Sequence, residues 1–254
     1  MTKKEFLGEF FGSFLLLIFG LGVNTSVTLF KLGDFPMITW GWGLGVFFGI
    51  LVSARTSGAH LNSAVTITLA WKRGFPKAKV PYYILAQMLG TFFAAIIIYF
   101  NYHDAILNWE TVNKVVRGTE ASLPVAGIFA TYPPNFISNT NAFFDQILGT
   151  LVLVIIVLAV TDPRNQIMKG ELNPFFVGIG VVVIGMTLGG NAGYAINPAR
   201  DFGPRLATYF LGWGNLVFQA HSNYFWIPIV APILGGIIGV YVYDFFLGNF
   251  LDSE

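Results

Sequence analysis

The sequence predicts an all-α membrane protein with six transmembrane helices and two re-entrant half-helices, arranged as an inverted repeat. Three observations predict it: an apolar composition, six apolar runs of spanning length, and two short matching motifs, one in each half of the chain.

Of 254 residues, 55% are hydrophobic and only 11% charged, against about 25% charged in a typical soluble domain. The apolar runs lie at 6–29, 37–54, 82–102, 141–161, 174–190 and 225–247. Each is close to the roughly 17–25 residues that cross a hydrocarbon core, so a lipid bilayer is the expected surrounding. The first run lacks a small-residue cleavage site and continues straight into the repeat, so it is expected to belong to the fold. With no cysteine in the chain, disulfides, thiolate metal sites and cysteine nucleophiles are excluded. His60, His103 and His221 have no metal-ligand spacing, and neither a metal nor another cofactor is expected. A net charge of +1 without a long basic run gives no reason for a nucleic-acid partner.

An even number of spans puts both termini on one side. Lys3, Lys4, Arg55, Lys72, Arg73, Lys77, Lys79, Arg164 and Lys169 then share the side of the termini, and Lys31, Lys114, Arg117, Arg200 and Arg205 fall opposite. Nine against five predicts cytoplasmic termini by the positive-inside rule. Arg200 and Arg205 lie within a repeat motif rather than an ordinary loop, which strengthens the bias.

Ser57-Gly58-Ala59-His60-Leu61-Asn62-Ser63-Ala64-Val65 lines up with Ala192-Gly193-Tyr194-Ala195-Ile196-Asn197-Pro198-Ala199-Arg200 at an offset of 135. Glu9 to Ser13 likewise resembles Gln146 to Thr150, and Leu89-Gly90 resembles Leu234-Gly235. One domain over 1–254 is therefore built from two copies, about 5–103 and 141–248. Three spans per copy force the second to enter from the opposite face, the inversion that places a transport site near the midplane. Glycines recurring in the spans are read as helix-packing positions. The stretch from Asp104 to Thr140, with Thr131-Tyr132-Pro133-Pro134-Asn135, is read as a long outer loop.

After each motif Asn the apolar pattern is short, running Asn62 to Trp71 and Asn197 to Tyr209. At about 1.5 Å per residue neither segment crosses the membrane. Both are expected to end near the midplane, with non-helical backbone leading into them, which membranes tolerate only where it is buried in protein or lines a water-filled cavity. A single Asn at a helix start reads as a cap. Recurring at one register of an inverted repeat, it reads as pore-lining, with its amide donors directed at the lumen.

These residues resemble the major intrinsic protein, or aquaporin, family, whose paired Asn-Pro-Ala motifs correspond to Asn62-Ser63-Ala64 and Asn197-Pro198-Ala199. Asn197 to Arg205, Phe129-Ala130-Thr131-Tyr132-Pro133 and Gly212-Trp213-Gly214 are similar to its glycerol-conducting branch. The resemblance implies an aquaporin-like fold and a passive channel for glycerol, water and other small uncharged solutes, without enzymatic activity, in a homotetramer at the cell membrane. It implies a selectivity filter of Trp42, Gly185, Tyr194 and Arg200, in which Gly185 leaves room for a carbon chain where water-selective members carry His. It also implies a ladder of pore carbonyls at Gly58, Ala59, His60 and Leu61 and at Gly193, Tyr194 and Ala195. Arg200 and the half-helix dipoles are expected to oppose cations, hydronium included. Asp201 is a further mark of the glycerol branch.

Three positions depart from the family pattern. Ser63 replaces a Pro, Tyr194 stands where many glycerol facilitators have Phe, and Gln146 replaces the second of two buried acids that brace the half-helix loops, leaving Glu9. Asp145 is adjacent but points elsewhere on its helix. His60 is read as bracing the loop, and His103 and His221 as outer-loop residues. Two other readings compete: a membrane-embedded enzyme, for which the chain lacks a nucleophile-and-base constellation, and a structural membrane protein with a closed pore. Within the channel class, a water-only pore is the alternative, against which Gly185 and Asp201 stand.

Overall fold

The computed structural model describes residues 1–165 and 170–251. Lys169, counted above with the terminal side, lies outside the described residues. Among these residues the chain is all-helical. The six long helices are α1 (Lys3–Phe30), α2 (Phe35–Ser57), α4 (Val80–Asn101), α7 (Asn139–Thr161), α8 (Asn173–Ala192) and α11 (Ile227–Phe246). All six are long and apolar enough to cross a membrane. Between them lie the half-length helices α3 (Ser63–Lys72) and α9 (Pro198–Thr208), about 15 and 17 Å long at the α-helical rise.

Local chemistry sets the helix ends. Thr2 and Glu5 close a capping box on α1, Asp34 caps α2 with Pro36 in its first turn, and Gly58 and Gly193 end α2 and α8 in the left-handed conformation that glycine adopts without strain. Close packing of the long helices rests on missing side chains. A Cβ on Gly90 of α4 would collide with the Phe10 carbonyl of α1, and one on Gly235 of α11 with the Ile147 carbonyl of α7. These are corresponding glycines of the two copies meeting corresponding carbonyls.

Lys79 pairs with Glu5 near the N-terminus at 2.6 Å, Arg73 pairs with Asp244 near the C-terminus, and the Tyr243 hydroxyl donates to Asp162 at 3.1 Å. The termini and the loops after α3 and α7 therefore share one face.

The stretch from Asp104 to Thr140 is not a plain loop. It contains α5 (His103–Val112), whose first residue is His103, and α6 (Leu123–Phe129). Short and polar, α5 is supported by tertiary contacts. Ile106 is fully buried, and the Arg117 guanidinium grips Glu110 at 2.7 and 2.8 Å while lying 4.6 Å from the Trp213 ring centroid. Near α11, α10 (Leu216–Asn223) leaves helical geometry at its end, where His221 has φ +51°.

Candidate pore and its constriction

The two loops leading into α3 and α9 share a backbone. After Gly58 and Gly193, φ is +52° at Ala59 and +35° at Tyr194, then +51° at Leu61 and +45° at Ile196. Asn62 and Asn197 return to −146° and −154°. Left-handed residues other than glycine are strained and persist only where surrounding groups over-determine them.

A buried carboxylate over-determines the first loop. Glu9 accepts from the backbone N–H of His60 (2.9 Å) and Leu61 (2.8 Å), the Ser57 hydroxyl (2.7 Å) and the Gln87 side-chain amide (2.7 Å). Gln146 holds the second with two bonds: its carbonyl accepts from Ile196 N–H at 3.0 Å and its amide donates to the Ala192 carbonyl at 3.1 Å. Asp145 turns away from this brace and meets Asn191 at 3.3 Å.

Each Asn caps its half-helix. The Asn62 side-chain oxygen accepts from Ala64 and Val65, and that of Asn197 from Ala199 and Arg200. Their amides also cross the copy boundary, Asn62 donating to the Ile196 carbonyl and Asn197 to the Leu61 carbonyl, both at 2.8 Å. One donor of each is thus spent tying the loops together rather than facing the lumen, and one lone pair of the Leu61 carbonyl is taken. The second N–H of each amide is left for the cavity both residues line. Ser63, in place of Pro, donates to Gln87 at 2.9 Å and so joins the Glu9 network. His60 braces the loop from within it, its Nδ1 lying 3.1 Å from the Thr66 hydroxyl and its ring against Phe75 and Tyr83.

Two cavities follow the axis. One, of about 430 Å³, reaches toward the face carrying the termini and is lined by Gly58 to Asn62 on one side and Tyr194 to Asn197 on the other. Leu16, Val46, Ile50, Val157 and Val181 face these polar loops. The second, of about 560 Å³, opens at the far face and includes Gly193, Tyr132 and His221. Among the described residues Trp42, Tyr194 and Arg200 alone line both, so the cavities meet between these three side chains.

At the junction the Arg200 guanidinium lies 3.9 Å from the centroid of the Trp42 ring, a cation–π distance. Among the described residues no hydrogen bond engages that guanidinium, and the Tyr194 hydroxyl is likewise unpartnered. Gly185 lines neither cavity. A Cβ there would meet Thr39 at 2.8 Å and the Tyr194 ring at 2.9 Å. The space this glycine vacates is filled by the Tyr194 ring.

Asp201 lies behind the junction. It accepts from Thr131 through both backbone N–H (2.7 Å) and hydroxyl (2.6 Å), and pairs with Arg205 at 2.8 Å. Arg205 donates onward to the Val217 and Thr131 carbonyls, each at 2.7 Å. All three residues are buried.

Sequence reasoning passed over Gln87, Ser57, Thr66 and Asn24. Their one sequence signal is a polar residue inside or beside an apolar run, since an intramembrane polar side chain is expensive without a partner. The arrangement offers a narrow amphipathic passage, with aromatic faces and an unpaired guanidinium at its waist and, among the described residues, no acidic side chain along the cavity on the terminal side.

The sequence profile of the Major intrinsic protein family matches residues 1–243. Aquaglyceroporin-2 of Rhizophagus irregularis is 49% identical over 243 residues, covering 95% of this chain and 76% of its own. The glycerol uptake facilitator protein of Haemophilus influenzae is 41% identical, covering 97% and 95%. The crystal structure of the aquaglyceroporin from Plasmodium falciparum superposes with a TM-score of 0.89 at 36% identity, covering 99% of both chains. The chain belongs to the major intrinsic protein family, as a multi-pass membrane protein.

Proposed function

We propose that this chain is a passive channel for glycerol, water and other small uncharged solutes, and that it excludes ions and protons. The observation that carries the reading is the junction of the two cavities at Trp42, Tyr194 and Arg200. A polyol has a carbon edge and a hydroxyl edge. The aromatic faces of Trp42 and Tyr194 suit the first, and the Arg200 guanidinium donates to the second. On either side of the waist, carbonyls of Gly58, Ala59, His60, Gly193, Tyr194 and Ala195 serve as acceptors, with the Asn62 and Asn197 amides as donors. Gly185 acts indirectly, by letting the Tyr194 ring lie back from the axis.

Ion exclusion follows from fixed positive potential. Arg200 and the N-terminal ends of α3 and α9 converge on the passage, and such ends oppose cations at close quarters. The names of the relatives, aquaglyceroporin and glycerol uptake facilitator, support the solute class. The basic residues gathered on the terminal face support cytoplasmic termini in a cell membrane, and family membership supports a homotetramer with one pore per chain.

Reconstitution into vesicles tests the reading. Glycerol is expected to enter down its own gradient at a rate unchanged by collapsing Na⁺ and proton gradients, while a pH-sensitive dye inside reports no proton leak. Glycerol entry that requires either ion gradient would refute it.

A further inference from the structure

The constriction is held by a residue that does not belong to it. Asn24, toward the C-terminal end of α1, is buried, and its side chain has two partners: its carbonyl accepts the Trp42 indole N–H at 3.0 Å, and its amide donates to the Ile128 carbonyl of α6 at 2.9 Å. A donor on one side and an acceptor on the other leave one orientation for the amide, so the pairing is unambiguous. Two further contacts hold Trp42. Gly20 of α1 lies so close to the indole that a Cβ would collide with it, and the Arg200 guanidinium lies against the ring.

We infer that Asn24 is the positioning residue that makes this filter selective for a polyol, by consuming the only hydrogen-bonding group of Trp42 and fixing the plane on which Arg200 rests. With its N–H engaged, Trp42 offers the passage hydrocarbon alone, and donors at the waist come from Arg200 and the Tyr194 hydroxyl. Without Asn24, the indole N–H is buried and unpartnered. The ring then turns to reach a water or a carbonyl in the lumen, carrying a donor onto the face that meets the carbon edge of the solute and tilting the support under Arg200. A water molecule tolerates that change better than a three-carbon chain. The link to Ile128 also joins the filter to α6, whose following residues Ala130 and Thr131 line the far cavity, Thr131 also holding Asp201.

This inference rests on the channel reading, and the experiment separates the two. Glycerol and water permeabilities are measured in vesicles for the parent, Asn24→Val, Asn24→Ser, Trp42→Phe and the two double variants. Asn24→Ser is included because it keeps a small polar group in the slot yet is too short to reach the indole. On the parental Trp42, Asn24→Val and Asn24→Ser are expected to lower the glycerol-to-water permeability ratio about fivefold, whereas adding either to Trp42→Phe, which has no N–H to engage, changes the ratio less than about twofold. An unchanged ratio in both single variants, or an equal fall with Phe at position 42, overturns the inference: the second result would mean that Asn24, which also lines the far cavity, acts on the solute directly. A parent that passes no glycerol refutes the channel reading itself, whereas a conducting parent indifferent to Asn24 refutes only this inference.

Discussion

The loop into α3 is braced by a carboxylate that accepts four hydrogen bonds, and the loop into α9 by an amide that makes two. Their backbones nevertheless agree closely, with positive φ at corresponding positions and both Asn residues extended. The shape therefore comes from what the copies share: a left-handed glycine, an Asn cap and the reciprocal Asn-to-carbonyl bonds across the boundary. Where the copies differ, chemistry has been divided. Ala59, Val65 and Thr66 of the first copy correspond to Tyr194, Arg200 and Asp201 of the second, and of these six only Tyr194 and Arg200 line the waist. The second loop also has an anchor absent from the first, the buried Asp201–Arg205 pair tied to Thr131 and Val217, where the first copy has Thr66 and Ala70. That anchor, on the far side of α9, offsets the weaker brace from α7.

Making the second copy resemble the first at its most divergent position is expected to do the most. Arg200→Val removes the one fixed charge at the waist, and the glycerol-to-water permeability ratio should fall about tenfold or more while a proton leak becomes measurable with an internal pH dye. If the variant still excludes protons, the half-helix ends suffice and the asymmetry at this position does not govern exclusion.

Asp201→Asn comes next, and acts on stability rather than on the waist. It leaves Arg205 buried without its counter-charge, which costs about 3–5 kcal/mol, so thermal unfolding in detergent should shift down sharply. A shift no larger than for a surface substitution would remove the anchor from the comparison.

The two braces should respond unequally when exchanged. Glu9→Gln turns one of the two acceptor oxygens into a donor that faces a backbone N–H and a side-chain donor and destabilises by about 2–3 kcal/mol, whereas Gln146→Glu disturbs one donated bond and costs about 1 kcal/mol. Equal losses in unfolding midpoint would show that the loops are held alike despite their different bonds.

Much of this was legible in the sequence. Apolar runs bound the six long helices to within a few residues, because a spanning helix must be apolar along its whole length. The half-helices were legible because Asn62 and Asn197 recur at one offset. By contrast, α5 was hidden by its polarity: what supports it is the Arg117–Glu110–Trp213 cluster, assembled from distant positions. The way Gly185 makes room is hidden for a related reason. A glycine in a motif shows that a slot is vacated but not which neighbour fills it, and here Tyr194 does. The Gln87 bridge between Ser63 and Glu9 is also invisible to linear reading, since nothing along the chain says which helix faces a half-helix.

Ser63→Pro should have the smallest effect. It restores a ring suited to the first helical position and gives up the bond to Gln87, worth about 1 kcal/mol. Unfolding midpoint and glycerol flux are both expected to stay close to the parent, and a large loss of either would make Ser63 a working part of the first brace.

Labelling at position 194 tests the central claim, that solute passes between Trp42, Tyr194 and Arg200. The parent has no cysteine, so Tyr194→Cys introduces a single thiol. In vesicles carrying this variant, glycerol permeability is recorded before and after treatment with a methanethiosulfonate reagent, and mass spectrometry verifies the modification. Modified protein is expected to lose nearly all glycerol flux while the treated parent keeps its own; a fully modified variant that conducts glycerol as before would contradict the account.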